Sequence, residues 1–325
     1  MSATVIRAGL DDDSSLPPNV TATALTVGTF DGVHRGHLDL IGRLVARARD
    51  LSLPSIAVTF EPHPLAVVNP AAAPPLLTVG DEKLEVLAET GLDYLAVIAF
   101  TPALAALSAE DFVMRVLCGR LRMRDLLIGH DHGLGRERAG TADVLTALGA
   151  RHGFGVNVVD PVSSTDGRWI SSTMIRRAVA GGDLTHAAEF LGRPYSIAGT
   201  VVPGAQRGRA LGFPTLNLSQ PPERKLLPPD GVYAVRVQTP QGEFGGMMSL
   251  GGRPTFDDDT RTIEAYLFDT SGDFYGQRVR IDVIKRLREI RRFPTPEALV
   301  AQIREDEVAA RFSLTADAAQ RNLRG

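Results

Sequence analysis

The sequence predicts an α/β domain followed by a β domain: a parallel sheet layered with helices, then a mainly antiparallel barrel closed by a C-terminal helix. Three observations predict it. Up to about residue 160, short apolar or β-branched runs alternate with helical patterns. After Arg193-Pro194 the texture changes to short alternating strands punctuated by Gly and Pro. The stretch "TPEALVAQIREDEVAARF" then returns to helical spacing. With 325 residues, 44% of them hydrophobic, the chain is long enough for two such cores. The expected boundary lies near residue 186, giving domains 1–185 and 186–325.

Taken in order, the strands of the first domain are "LTVGTF", "SIAVTF", "YLAVIAF", "DLLIG" and "GVNVVD". Its first helix follows from Leu38, Ile41, Leu44, Val45, Ala48 and Leu51, which recur at helical spacing while Arg43, Arg47 and Arg49 take other faces. "DEKLEVLAET" comes next, then "SAEDFVMRVLCGRL", opened by Ser108 as N-cap with Asp111 three residues on, then "TADVLTALGARHG". Strand-helix alternation implies right-handed crossovers and a parallel sheet covered on both faces. Ligands bind such sheets beyond the carboxyl ends of the strands, which is where Gly28 to His37 fall. "NPAAAPPLLT" reads as a surface loop. Two short helices divided by Gly181-Gly182 lead into the barrel strands "YSIAGTVV", "GVYAVRVQTP", "GEFGGMMSLGG", "RTIEAYLFD" and "QRVRIDVIKRLR". Thr295 is the expected N-cap of the closing helix, with Pro296 in its first turn.

Composition narrows the function. A formal net charge of -3 argues against broad electrostatic attraction to nucleic acid or anionic membrane, so neither is an expected partner. The basic run from Arg278 to Arg292 reads as a solvated face with counterions. The one cysteine, Cys118, permits no intrachain disulfide and reads as a small core residue. No secretory pattern opens the chain and no apolar run reaches the length of a membrane span, so the cytoplasm is the expected location.

Chemistry concentrates in "GTFDGVHRGH", where two histidines three residues apart sit beside glycines as a strand runs into a helix. Backbone N–H groups at a helix start attract anions, and glycine lets a ligand's oxygens approach. The pattern therefore suits a phosphate site, with a tight strand-to-helix turn as the plainer alternative. A zinc site built from His34, His37 and His63, or from His130 and His132, is disfavoured, because structural zinc prefers four closed ligands, usually with cysteine.

Gly28 to His37 resembles the "GxFDGxHxGH" signature of the bacterial bifunctional riboflavin kinase/FAD synthetase (FMN adenylyltransferase) family, a relative of the "HxGH" motif of nucleotidyltransferases. "TFEPHP", "ISSTMIR", "GRALGFPTLNL", "DGVYAV", "RPTF", the strand glutamate Glu264 and "FYGQ" follow in the family's order, over nearly the whole chain. The resemblance implies a Rossmann-like nucleotidyltransferase domain followed by a riboflavin kinase-type barrel. The implied reactions are phosphorylation of riboflavin to FMN, with ATP giving ADP, and adenylylation of FMN to FAD, with ATP giving pyrophosphate. Mg²⁺ is the implied cofactor. In the first domain the resemblance gives His34 and His37 to the triphosphate and Gly28, Phe30, Asp31, Gly32 and Gly36 to the phosphate loop, with Asp31 fixing that loop through backbone bonds. Ser172, Thr173 and Arg176 go to the departing pyrophosphate, and His63 and Asp131 to flavin or nucleotide contact. In the second domain Gly208, Arg209, Gly212 and Pro214 wrap the nucleotide, Thr215 and Asn217 hold the metal, and Glu264 is the base for the riboflavin hydroxyl.

Some positions depart from the family pattern. "GHDHGLG" stands where "GxDFxFG" is common, so His132 and Leu134 replace aromatics; Ser249 replaces a frequent asparagine and Tyr266 a frequent histidine. A class I tRNA synthetase-like protein, which shares the "HxGH" element, is disfavoured because no "KMSKS" string or basic anticodon-binding domain is apparent. A flavin carrier that has lost catalysis predicts loss of charged or metal-binding site residues, yet His34, His37, Thr215, Asn217 and Glu264 are all present. The sequence carries no oligomeric state.

Overall fold

The chain parts into two units, Met1–Ser172 and Thr173–Gly325, in the computed structural model. The described residues are 3–9, 16–130, 132–165, 167–204, 212–253, 258–270 and 272–322. Asp131, Gly208 and Arg209 of the expected sites lie outside them.

In chain order the first unit contains β1 (Thr4–Ala8), β2 (Thr23–Val27), α1 (Arg35–Asp50), β3 (Ser55–Glu61), α2 (Pro64–Val68), α3 (Asp81–Ala88), β4 (Tyr94–Ala99), α4 (Pro102–Ala105), α5 (Ala109–Asp111), β5 (Met123–Gly129), α6 (Ala142–His152) and β6 (Gly155–Val159). Among the described residues the strands form one sheet in the order β1-β4-β3-β2-β5-β6, every pairing parallel. The order reverses at β2, because the chain winds to β3 and β4 on one side and then crosses to β5 and β6 on the other. That reversal opens a crevice beyond the carboxyl end of β2, where doubly wound sheets take their ligands. Alternation along each strand divides the core in two. Leu25, Val27, Ile56, Val58, Ile98, Leu126 and Ile128 meet Phe112, Val116, Leu145 and Leu148 on one face, while Ala24, Ala57, Leu95, Val97 and Leu127 meet Ile41, Leu44, Leu84 and Leu87 on the other.

The expected strands and helices are present, with three differences. β1 is an edge strand whose exposed Val5 and charged Arg7 give it no apolar run to read. The expected helix after Ser108 starts as such, with the Ser108 hydroxyl accepting the Asp111 N–H (3.0 Å), but Phe112–Cys118 winds as a π-helix. The adjacent pairs Phe112-Val113 and Val116-Leu117 are all buried in the core. Cys118 is half-buried beside them, and burial pushes its thiol above the ordinary range. The third difference concerns "NPAAAPPLLT". Its start is an exposed 3₁₀ turn at Pro70–Ala72, yet Leu77 and Thr78 at its end are buried, because they are bonded to the glycine loop.

α7 (Ser172–Ala180) begins at the last residue of the first unit, and α8 (Leu184–Leu191) follows, so residue 186 falls inside a helix. Then come β7 (Tyr195–Val202), β8 (Thr215–Leu218), β9 (Gly231–Thr239), β10 (Gly242–Arg253), β11 (Asp258–Leu267), β12 (Arg278–Arg288) and α9 (Pro296–Asn322). The strands close into an antiparallel barrel ordered β10-β11-β8-β7-β12-β9. Thr295 caps α9 as expected, its hydroxyl accepting the Ala298 N–H (3.2 Å). α9 packs through Ala310 on Ala234, Met247 and Phe268 and is pinned by the Arg236–Asp317 pair and by Arg288–Asp306 at 2.7 Å. The basic run has the expected counterions, Arg280 with Asp282, Arg286 with Glu289 and Arg288 with Asp306, but it is not simply a solvated face, because Asp282 and Asp306 are buried and the arginines on them are largely covered. No helix among the described residues is long and apolar enough to cross a membrane.

Two candidate active sites

The first site is the loop from β2 to α1. Gly28 N–H bonds back to Val58 O (2.9 Å) and Val33 N–H to Phe30 O (3.1 Å), which turns the chain sharply beyond the sheet edge. Phe30 (φ 48°) and Val33 (φ 42°) are both left-handed, a conformation that is strained for a bulky or β-branched residue. Both side chains are fully buried, so packing holds the strain in place. A Cβ at Gly28 would lie 3.0 Å from the Phe30 ring, and one at Gly36 3.2 Å from the His34 ring, so a side chain at either would require that ring to shift by a few tenths of an ångström.

His34 caps α1 from its N-cap position, and the capping is reciprocal. The His37 N–H donates to His34 Nδ1 (3.4 Å), and the His34 N–H donates to His37 Nδ1 (3.3 Å). The two rings stack 3.6 Å apart at 18°, with Phe30 edge-on to His37 at 5.2 Å. Since each Nδ1 is an acceptor, a neutral ring carries its proton on Nε2, and both imidazoles become Nε2–H donors. Arg35 and Gly36 precede the first i→i−4 bond of α1, from Leu38 N–H to His34 O (2.9 Å). Imidazole donors thus sit beside the positive end of a helix.

The loop is gripped from behind. Asp31 is buried and its Oδ1 accepts the N–H groups of Leu77 (2.8 Å) and Thr78 (3.2 Å); the Gly32 N–H donates to Thr78 Oγ1 (3.0 Å). Ser172 Oγ donates to Asp31 O (2.9 Å), which ties the last residue of the first unit to the loop. Thr173 and Arg176 continue on α7, where Arg176 Nη2 donates to Thr173 Oγ1 (3.2 Å). His63 follows β3 and caps α2, its Nδ1 accepting the Leu65 N–H (3.2 Å). At the end of β5, His130 stands edge-on to the exposed Trp169 at 4.8 Å. Leu134 lies in the core, so the leucine that replaces a family aromatic is packed inside.

Three residues that the sequence did not single out complete this site: Thr59, Thr78 and Lys83. Lys83, on the first turn of α3, has a side chain only 7% exposed. Its Nζ donates to Phe60 O (3.1 Å) and Thr59 Oγ1 (3.2 Å) and lies 3.8 Å from Glu61 Oε2. Burial pushes the ammonium below the ordinary lysine range, opposed by the carboxylates of Glu61 and Asp31.

The second candidate site lies on the barrel wall. Strand register sets Asn217, Glu264 and Ser249 side by side on β8, β11 and β10, and Thr215 two residues before Asn217 shares their face. Glu264 is partly buried and held from two sides: Thr215 Oγ1 donates to Oε2 (3.4 Å) and Thr262 Oγ1 to Oε1 (3.3 Å). Thr262 was readable from the alternation in "RTIEAYLF" but was not singled out. A Cβ at Gly204 would fall 2.2 Å from Asn217 Nδ2, so any larger residue there would have to displace the Asn217 amide. Tyr266 meets Phe213 at 5.4 Å and Phe268 at 5.7 Å, which makes it part of the apolar wall. Gly212 is left-handed (φ 88°) just before Pro214 and β8.

The family profile for FAD synthetase matches residues 16–174, and that for riboflavin kinase matches residues 191–314. The bifunctional riboflavin kinase/FMN adenylyltransferase of Escherichia coli K12 is 38% identical over 294 residues, 90% of this chain and 93% of that protein. The protein of the same name from Pseudomonas fluorescens is 38% identical over 308 residues, 94% and 97% of the two chains. A solved structure titled a macrolide-efflux protein from Streptococcus pneumoniae superposes with a TM-score of 0.80 at 30% identity, over 94% of this chain and 99% of its own. With both modules matched in order and near-complete coverage of its relatives, the chain belongs to the bifunctional riboflavin kinase/FMN adenylyltransferase family.

Proposed function

We propose that the N-terminal site moves an adenylyl group from ATP to FMN and that the barrel site moves the γ-phosphoryl group of ATP to riboflavin. The module boundary is set near residue 186, a reading supported by the change of texture after Arg193-Pro194, while the compact units part after Ser172. The observation that carries the first assignment is the reciprocal cap that makes His34 and His37 Nε2–H donors at the start of α1. In adenylylation an oxygen of the FMN phosphate forms a bond to the α-phosphorus of ATP, and the bond to the bridging oxygen breaks to release pyrophosphate. Charge builds on the α-phosphate oxygens, so fixed N–H donors lower the barrier without a covalent step. His34, His37 and the first N–H groups of α1 supply them. Ser172, Thr173 and Arg176 receive the pyrophosphate, Arg176 through its planar fork of donors. Asp31 acts by holding the loop, and His63 and Asp131 contact flavin or nucleotide.

At the barrel, Glu264 takes the proton of the riboflavin 5′-hydroxyl as its oxygen attacks the γ-phosphorus and ADP leaves. Thr215 and Thr262 fix the carboxylate orientation. Thr215 Oγ1 and Asn217 Oδ1 are oxygen donors on one face, a set that fits Mg²⁺ completed by phosphate and water oxygens. The ion supplies charge neutralisation on the phosphates when bound. Gly208, Arg209, Gly212 and Pro214 enclose the nucleotide. A cytoplasmic location is part of this reading, supported by the need of both reactions for ATP. The efflux title of the pneumococcal structure has no observation of this chain behind it. Incubating the full chain with riboflavin, ATP and Mg²⁺ and separating products by chromatography tests the reading. FMN followed by FAD is expected, and a chain that forms neither refutes it.

A further inference from the structure

A buried ammonium is expensive unless something needs its charge, and packing alone could be met by methionine at the same length. Lys83 reaches from α3 to the last residues of β3, where it donates to Thr59 Oγ1 and Phe60 O. An ammonium can only donate. The Thr59 oxygen must therefore accept from Lys83 and spend its own hydrogen elsewhere, and it does so on Thr29 O, 3.2 Å away in the glycine loop. The relay Lys83→Thr59→Thr29 thus has one direction, fixed by the charge. Its end point is the carbonyl immediately before the left-handed Phe30. The same segment grips the loop a second time through Leu77 and Thr78, so residues 77 to 83 form one clamp whose cationic member is Lys83.

We propose that Lys83 is a positioning residue of FMN adenylylation: acting through Thr59, it fixes the Thr29 carbonyl and so holds the strained loop in the geometry that presents His34 and His37 to the triphosphate. This inference rests on the adenylyltransferase reading of the loop. A purely structural lysine would make a different set of changes, because loss of its hydrogen bonds would lower stability without lowering kcat for adenylylation at an unchanged KM.

The test compares Lys83→Met, Lys83→Arg, Thr59→Val and the double variant Lys83→Met/Thr59→Val in the full chain, with His37→Ala as the reference for the site. Adenylylation of added FMN and phosphorylation of riboflavin are measured separately. Lys83→Met should lower kcat for adenylylation about tenfold while KM for ATP and FMN stays within about twofold, the signature of an interaction used in the transition state. Riboflavin phosphorylation should not change. Lys83→Arg, which keeps a buried donor, should recover most of the loss, and the double variant should be no worse than the poorer single one, because one relay is being cut twice. An adenylylation kcat within twofold of the parent in Lys83→Met, or losses that multiply in the double variant, overturns the proposal. If Lys83→Met does not fold, Thr59→Val decides alone, since it keeps the charge and removes only the relay; an unchanged kcat there is equally fatal. Should His37→Ala also retain full adenylylation, the reading of the loop itself fails and takes the Lys83 proposal with it. Loss in His37→Ala with none in Lys83→Met removes Lys83 only.

Discussion

The glycine loop after β2 and the polar row across β8, β11 and β10, the two proposed sites, hold their polar groups by opposite means. In the loop, donors come from a helix start and from two rings whose tautomers are set by backbone N–H groups, on a backbone with left-handed Phe30 and Val33. In the barrel, side-chain oxygens are placed by strand register, and no residue of the row has a left-handed backbone. The loop therefore depends on tethers from elsewhere, namely Leu77, Thr78, Lys83 through Thr59, and Ser172. The row depends on ladder pairing that the whole barrel enforces. A strained site should be sensitive to changes behind it, whereas a registered site should be sensitive mainly to changes within it.

The largest expected effect removes a loop donor outright. His37→Ala deletes an Nε2–H donor and also one half of the reciprocal cap, so FAD formation from FMN should fall roughly 10²–10³-fold. FMN formation from riboflavin by the same chain should be unaffected. Equal loss of both activities in a folded variant would show that the loop does not serve adenylylation alone.

Within the barrel row the corresponding change is Glu264→Gln, which keeps the shape and one of the two oxygens that accept from Thr215 and Thr262, replaces the other with a donating amide, and removes basicity. Single-turnover FMN formation at saturating ATP, Mg²⁺ and riboflavin should drop about 10²-fold, while FAD formation from added FMN serves as the folding control. A near-normal rate excludes Glu264 as the base and leaves the row a binding surface.

A smaller and more diagnostic change is Gly36→Ala. The added methyl meets His34 Cε1 and Nδ1 at 3.2 Å, so the ring must yield by a few tenths of an ångström without losing any donor. Adenylylation should slow about tenfold, because catalytic groups displaced by an ångström can cost about a hundredfold. Riboflavin phosphorylation by the same variant is the control and should stay within about twofold, because no residue of the barrel row is changed. A silent Gly36→Ala would remove the contrast between strained loop and registered wall.

Much of this was legible in the sequence because it is local. Compact apolar runs gave the central strands of the sheet and alternating runs those of the barrel, helical spacing gave α1 and α9, and Ser108 and Thr295 marked helix starts that the structure bears out. The motif residues of both sites were legible as strings. The clamp was not: Asp31 meets Leu77 and Thr78 across 46 and 47 positions, and Lys83 meets Thr59 across 24. A lysine in the first turn of an acidic helix, "DEKLEVLAET", looks like a solvated charge until the sheet edge beside it is known. Glu264 was ambiguous for the converse reason, since an alternating strand leaves open which face is wet, and only the closed barrel shows its carboxylate held between Thr215 and Thr262.

The smallest effect concerns where the second module starts. α8 packs with the barrel, and Asp183 caps it, its Oδ1 accepting the His186 N–H (3.2 Å). A fragment beginning at Thr173 keeps α7, the cap and the whole registered row, and it should phosphorylate riboflavin within about twofold of the full chain. A fragment beginning at Leu184 removes Asp183 and leaves the first turn of α8 uncapped, a loss of about 1 kcal/mol in typical helices. For a unit of this size that corresponds to a fall of roughly 2–4 °C in Tm, with the row itself untouched. Thermal unfolding of the two fragments, followed by their turnover at a temperature where both are folded, separates stability from chemistry. Equal turnover with a lower Tm for the shorter fragment is the expected outcome. Loss of turnover in a folded Thr173 fragment would mean that the row is not sufficient by itself, and that the barrel site, like the loop, takes support from outside its own unit.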